Sequence, residues 1–153
     1  MALGRNFEEA ILKAVRSLET GQIHIELKHA EDNADNWIEK RIRKAGDERL
    51  FFIAEALRRG VTVEKIHEWS QIDLWFLNKL QNIIDMEKTL SENKNDLEVL
   101  RQAKRLGFAD KKISELWETT PEAIYALRKE TGIIPVYKMV DTCAAEFEST
   151  TPY

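Results

Sequence analysis

The stretch Asp47–Met86, DERLFFIAEALRRGVTVEKIHEWSQIDLWFLNKLQNIIDM, reads as helix, tight turn, helix, tight turn, long helix. Leu50, Ile53, Ala54 and Leu57 fall at i, i+3, i+4 and i+7, which gathers them on one side of a 3.6-residue period and predicts that this side is buried. Arg58 and Arg59 place positive charge where the last carbonyls lack partners, and Gly60 can take the left-handed conformation that closes a helix. Thr62 is placed to accept from the first free amides of a second helix, whose Val63, Ile66 and Trp69 line its inner side. Asp73 does the same for a third helix with an apolar stripe of Phe76, Leu80, Ile83, Ile84 and Leu90.

A weaker copy of this unit lies at Leu97–Arg128, LEVLRQAKRLGFADKKISELWETTPEAIYALR. Gly60 and Gly107, Ile66 and Ile113, Glu68 and Glu115, Asp73 and Thr120, and Leu77 and Ile124 agree in kind at one offset of 47 residues. Thr120-Pro121-Glu122 is a helix start, because proline at the first helical position gives up an amide that had no partner. A stable solenoid needs about three or more repeats. Two copies predict a compact all-α domain with an internally duplicated helix-turn-helix-like unit, not an open array.

With 153 residues the chain is one domain by length, able to bury roughly 70% of its unfolded surface without disulfides or metal. Cys143 stands alone, which excludes an internal bridge and fits a reducing cytosol. Charge appears within the first five residues, and the longest apolar run, Leu50–Ala54, is far short of the ~20 residues that span a bilayer. A cytoplasmic protein without membrane association is expected. The formal charge of −4 lacks the field that attracts phosphate backbones, so nucleic acid is not an expected partner despite the helix-turn-helix likeness of Val61–Leu80.

Outward from the duplicated unit, NFEEAILKAVRSLE (Asn6–Glu19) is an amphipathic helix capped by Asn6, with Phe7, Ala10, Ile11, Ala14 and Leu18 inward and Gly21 at its end. Ile23, Ile25 and Leu27 alternate with polar residues, a strand or an extended connector. Asp35 or Asn33 then caps a short helix with Trp37, Ile38, Arg41 and Ile42, ended by Gly46. After Gly132, Pro135 and the β-branched Ile133, Ile134 and Val136 predict an extended tail, with a short turn near Cys143–Phe147.

No catalytic, cofactor-binding or metal-binding residues emerge. His24, His29 and His67 have neither an i, i+4 partner nor a Cys-x-x-Cys pair, and read as surface residues. The glycines sit singly and form no phosphate-cradling loop. The carboxylate pairs Glu8/Glu9 and Glu64/Glu68 fall on predicted outer faces, where no pKa is raised by burial. Cys143, among Ala144, Ala145 and Phe147, reads as a small core residue.

Two aromatic rings do not fit their helices. Trp75, Lys79, Asn82 and Met86 lie on a face away from the stripe of Phe76, Leu80 and Ile83, and Phe51 lies off the stripe of Leu50, Ile53 and Leu57. Either other helices of the domain cover these rings, or a second copy does. Phe51, Trp75 and Met86 are the candidate self-association residues.

The blocks GRNFEEAILKAVRSLE (Gly4–Glu19), AEALRRG with IDLWFL (Ala54–Leu77), AKRLGFADKKISEL (Ala103–Leu116) and PVYKMVDTCAAEF (Pro135–Phe147) closely resemble the central region of the carbamoyl-phosphate synthetase large subunit. The resemblance implies an all-helical, non-catalytic oligomerisation domain over residues 1–132. It also implies a tail, residues 133–153, leading into the second of two ATP-grasp halves, with Met1 and Ala2 standing ahead of the resembling sequence. By the same resemblance, the parent is an ATP-dependent ligase, carbamoyl-phosphate synthase, with ATP and Mg or Mn bound in the flanking halves and no cofactor in this segment. Partners implied are those halves, a second copy, and a small glutaminase subunit reached only through the parent. The alternative from another class is a free-standing helix-turn-helix adaptor or nucleic-acid-binding module.

Overall fold

Residues 2–136 are described in the computed structural model, and among them all regular structure is helical. The helices are α1 (Phe7–Arg16), α2 (Asp35–Arg43), α3 (Arg49–Arg58), α4 (Val63–Ser70), α5 (Leu74–Glu92), α6 (Leu97–Arg105), α7 (Asp110–Trp117) and α8 (Pro121–Glu130), with a 3-10 turn at Ala30–Asp32. At 19 residues, α5 is the axis. It packs against α1, α3, α4, α6 and α7, while α2 packs on α3 and α4, and α8 on α7.

The duplication is borne out residue by residue. Gly60 and Gly107 both have positive φ, at 83° and 90°. The amide following each glycine reaches back to close the helix, Val61 to the Ala56 carbonyl at 3.0 Å and Phe108 to Ala103 at 3.1 Å. Ile66 with Ile113, and Leu77 with Ile124, are buried pairs at the same offset. Thr62 Oγ1 accepts from the Lys65 amide at 3.3 Å, Asp73 Oδ1 from Trp75 at 2.8 Å and Thr120 Oγ1 from Ala123 at 3.2 Å. Gln71 and Glu118 end α4 and α7 in the left-handed conformation.

Several expectations shift. In α5 the buried stripe runs through Leu77, Leu80, Ile83, Ile84 and Leu90, and Phe76 is exposed. Leu77 takes the core position because Leu77, Leu80 and Ile84 lie at i, i+3 and i+7. Helix α1 buries Leu12 and Val15 together with Glu8 and Glu9, while Phe7, Ala10, Ile11 and Ala14 are half-buried. It ends at Ser17, before Leu18 and Gly21. Asn6 caps it as expected, with Oδ1 accepting from Glu9 at 2.7 Å. In α2, Ala34 holds the cap position without a side-chain bond, and the helix stops at Arg43, ahead of Gly46. Ile38 and Ile42 are buried there, whereas Trp37 is exposed.

The alternation at Ile23, Ile25 and Leu27 is not a strand. His24 and Ile25 are both buried, which a strand with one buried face cannot produce from adjacent residues. The carbonyls of this connector are taken by side chains in place of a ladder. Arg58 donates to the Ile25 carbonyl at 2.6 Å, Gln22 to Glu26 at 2.7 Å and Arg59 to Ala30 at 2.7 Å. Lys112 of α7, itself buried, pairs with the Glu26 carboxylate.

After α8 the backbone has no regular structure through Val136. Ile133 is buried and its amide donates to the Arg128 carbonyl at 2.8 Å. Residues 137–153, with Cys143, the short turn expected near it and most of the expected extended tail, lie outside the described residues. No helix among the described residues is long and apolar enough to cross a membrane.

Candidate functional site

The N-terminal turn of α5 carries three successive exposed apolar side chains, Leu74, Trp75 and Phe76, at 39%, 52% and 45% exposure. Asp73 fixes the turn by capping it. The Phe7 ring meets both aromatics edge to face with centroids 5.5 Å away, and Trp75 meets Phe76 at 5.0 Å and 90°. Lys79 Nζ lies 5.5 Å over the Trp75 ring. These edge-on geometries order the rings without hiding them. In the second copy the equivalent positions are Pro121, Glu122 and Ala123. The helix start therefore does not require aromatic residues.

Of the three candidate self-association residues, Trp75 is the exposed one. Phe51 and Met86 are half-buried and pack against the core. Further along the same face of α5, Asn82 Nδ2 donates to Glu8 Oε1 at 2.9 Å and Lys79 lies 3.5 Å from that oxygen. Glu8 is buried against α5, so α1 covers this part of the face and leaves its Trp75 end open. The expectation that Glu8 and Glu9 point outward is thus corrected, because α5 supplies a cation and an amide for Glu8, and Arg5 and Lys13, on either side of it in sequence, supply partners for Glu9. Glu64 and Glu68 are exposed as predicted.

The expectation of three surface histidines is also corrected. His24 is fully buried, and its Nε2 donates to Glu87 Oε1 at 2.8 Å. Arg58 clamps the same carboxylate with Nη2 to Oε1 at 2.6 Å and Nε to Oε2 at 2.8 Å. Burial pushes the Glu87 carboxyl up, but the Arg58 guanidinium and His24 outweigh it and bring it down to about 2. A carboxylate held ionised and engaged on both oxygens is a structural lock, here between the connector, α3 and α5, and has no proton to give. His67 is half-buried with Nδ1 2.7 Å from the Ile72 carbonyl, so it too is structural. His29 is exposed. Its ring nitrogen and the Glu31 and Asp32 carboxylates lie within 4.8 Å of one another, all in solvent, a common arrangement at exposed acidic turns.

No spacing in the sequence marks the His24–Glu87 contact, because the two residues are 63 apart and meet only when the connector folds over α5. The Trp75 end was legible from its mismatch with the stripe. The α-helical domain is built on a duplicated unit, carries an ordered apolar edge, and pairs its buried Glu8, Glu9, Glu87 and Lys112 within the chain. Residues 1–132 match the family described as carbamoyl-phosphate synthetase large chain, oligomerisation domain. The chain belongs to the family of carbamoyl-phosphate synthetase large-chain oligomerisation domains.

Proposed function

We propose that this chain is a non-catalytic connecting and oligomerisation segment that associates with a second copy through the α5 edge formed by Leu74, Trp75 and Phe76 with Phe7. The observation that carries the reading is the ordered, exposed aromatic edge in a family described as an oligomerisation domain, at positions where the duplicated unit has Pro121, Glu122 and Ala123. A two-fold axis through such an edge places the same rings on both partners, and aromatic anchors dominate interfaces of that kind.

In this reading residues 1–132 form the body, and residues 133–153 lead into the second of two ATP-grasp halves. The parent is an ATP-dependent ligase that makes carbamoyl phosphate from bicarbonate, ATP and glutamine-derived ammonia in the cytoplasm, for arginine and pyrimidine biosynthesis. ATP with Mg or Mn belongs to the halves, and a small glutaminase subunit meets this segment only through the parent. The motifs at Gly4–Glu19, Ala54–Leu77, Ala103–Leu116 and Pro135–Phe147 support that assignment. Sedimentation equilibrium over a concentration series tests the core of the reading. A reversible monomer–dimer equilibrium is expected, and a chain that stays monomeric at every concentration overturns self-association through this domain alone.

A further inference from the structure

The last turns of α1, α6 and α8 each carry a cation, Arg16, Lys104 and Arg128, and these three helix ends converge on one cleft of about 620 Å³. A basic residue at a helix C-terminus is ordinary, since it complements the carbonyl end of the dipole. Convergence of three in one partly buried space is a different matter, because like charges then repel at short range in a poorly screened site.

Each cation is positioned by main-chain carbonyls. Arg16 Nη1 donates to the Gly107 carbonyl at 3.0 Å, Lys104 Nζ to Phe108 at 2.6 Å and Arg128 Nε to Ile133 at 3.1 Å. Asp110 pairs with both Lys104 and Arg128. Arg16 makes no ion pair among the described residues; Glu9, the nearest acid to it in α1, is engaged by Arg5 and Lys13. Five cations, Arg5, Lys13, Arg16, Lys104 and Arg128, thus face two carboxylates, Glu9 and Asp110, leaving an excess of three positive charges in a chain whose formal charge is −4. Arg105, exposed and without an ion pair among the described residues, also lines the cleft and adds to the excess, whereas Arg101 lines it but pairs with Glu98 at 3.2 Å. Burial, which the Asp110 carboxylate only partly offsets, lowers the affinity of Lys104 for its proton, with smaller contributions from Arg128 and Arg16, and burial outweighs Glu9 in lowering that of Arg16.

We propose that this cleft binds a small, multiply charged oxyanion, a phosphate or a phosphate ester, held by Arg16, Lys104 and Arg128. Guanidinium forks match the spacing of phosphate oxygens, and an excess of three charges suits a dianion better than a monocarboxylate. The wall formed by Phe108 and Ile133 is apolar, and the volume fits a small organic molecule, so an ester gains contacts that free phosphate lacks. Folding supplies the site by holding the three carbonyl-anchored cations in place before the ligand arrives.

Calorimetry on the full 153-residue chain at low salt, with inorganic phosphate, pyrophosphate and phenyl phosphate as probes, tests the proposal. Saturable binding is expected, tighter for phenyl phosphate than for inorganic phosphate if the natural ligand is an ester, and tightest for pyrophosphate if it is an inorganic oxyanion. Arg16→Gln, which removes the cation without orphaning a carboxylate, should weaken binding about tenfold or more while the melting curve stays near wild type. Lys88→Gln, an exposed residue whose pairing with Glu92 is 3.9 Å, should bind as wild type does. If Arg16→Gln does not fold, Arg105→Gln at the exposed rim, which takes no partner from any carboxylate, should melt normally and bind several-fold more weakly. A folded wild type that binds none of the probes, equal affinity in the cleft variant that folds and wild type, or equal losses in the cleft and Lys88 variants overturns it.

Discussion

Gly107 runs so close to Glu9 that a Cβ added there would lie 2.8 Å from the Glu9 Cα, whereas the same addition at Gly60, its counterpart in the first copy, meets nothing within 4 Å. Both glycines have positive φ and both close a helix, so they share the conformational reason for being glycine. Gly107 has a steric reason as well, since it lets α1 dock against the end of α6.

Gly60→Ala should therefore cost about 1 kcal/mol, the strain of a left-handed alanine. Gly107→Ala should cost a further ~1–3 kcal/mol, because backbone faces backbone and one element must move. Urea unfolding of the two variants reads the difference directly. Equal losses would show that α1 does not pack on the α6 end as described.

The Glu87 lock makes stability depend on acid. The folded carboxyl is held at about 2, below its ordinary 4.5, so the unfolded chain takes up the proton first as pH falls. Stabilisation from Glu87 is complete above about pH 4.5 and is lost between there and about pH 2, with a magnitude of ~3 kcal/mol. Glu87→Gln should destabilise the protein by a similar amount at neutral pH, since it leaves Arg58 and His24 without their anion. The gap between variant and wild type should close as pH drops through that window. A gap that stays constant with pH would remove Glu87 as its source.

Two tryptophans separate interface from core. Trp117 is buried and its Nε1 donates to the Leu90 carbonyl at 2.9 Å, so Trp117→Ala should cost about 3–5 kcal/mol in unfolding. Trp75, half in solvent, should cost under about 1 kcal/mol when truncated, yet weaken dimerisation by ~2 kcal/mol or more. Thermal melts paired with sedimentation equilibrium check both. A Trp75→Ala protein that melts like Trp117→Ala would place that ring inside the domain.

Glu8 offers a further check on how α1 is held. Glu8→Leu keeps an apolar contact at a buried position but leaves Asn82 and Lys79 of α5 without their acceptor, and should cost about 1–3 kcal/mol. Adding Asn82→Leu should recover part of the loss, because the pair then becomes apolar on both sides. A double mutant as destabilised as the sum of the singles would show that the two side chains act independently.

The sequence by itself determined the helices and their duplication, because these rest on short-range physics. Periodicity, the Asn6, Thr62, Asp73 and Thr120 caps and the turns at Gly60 and Gly107 are all set within a few residues. The 47-residue offset was legible because both copies satisfy the same local demands. Tertiary structure alone decided which side of a marginally amphipathic helix faces in, moving Phe76 out and Leu77 in, and drawing Glu8 inward onto partners in α5 while Glu9 is held by Arg5 and Lys13. It also decided the charge clusters. A histidine, a glutamate and an arginine from the connector, α5 and α3 carry no common spacing, and neither do Arg16, Lys104 and Arg128. Their energies come from proximity in a poorly polarisable interior, and proximity across distant segments is set by how the helices pack.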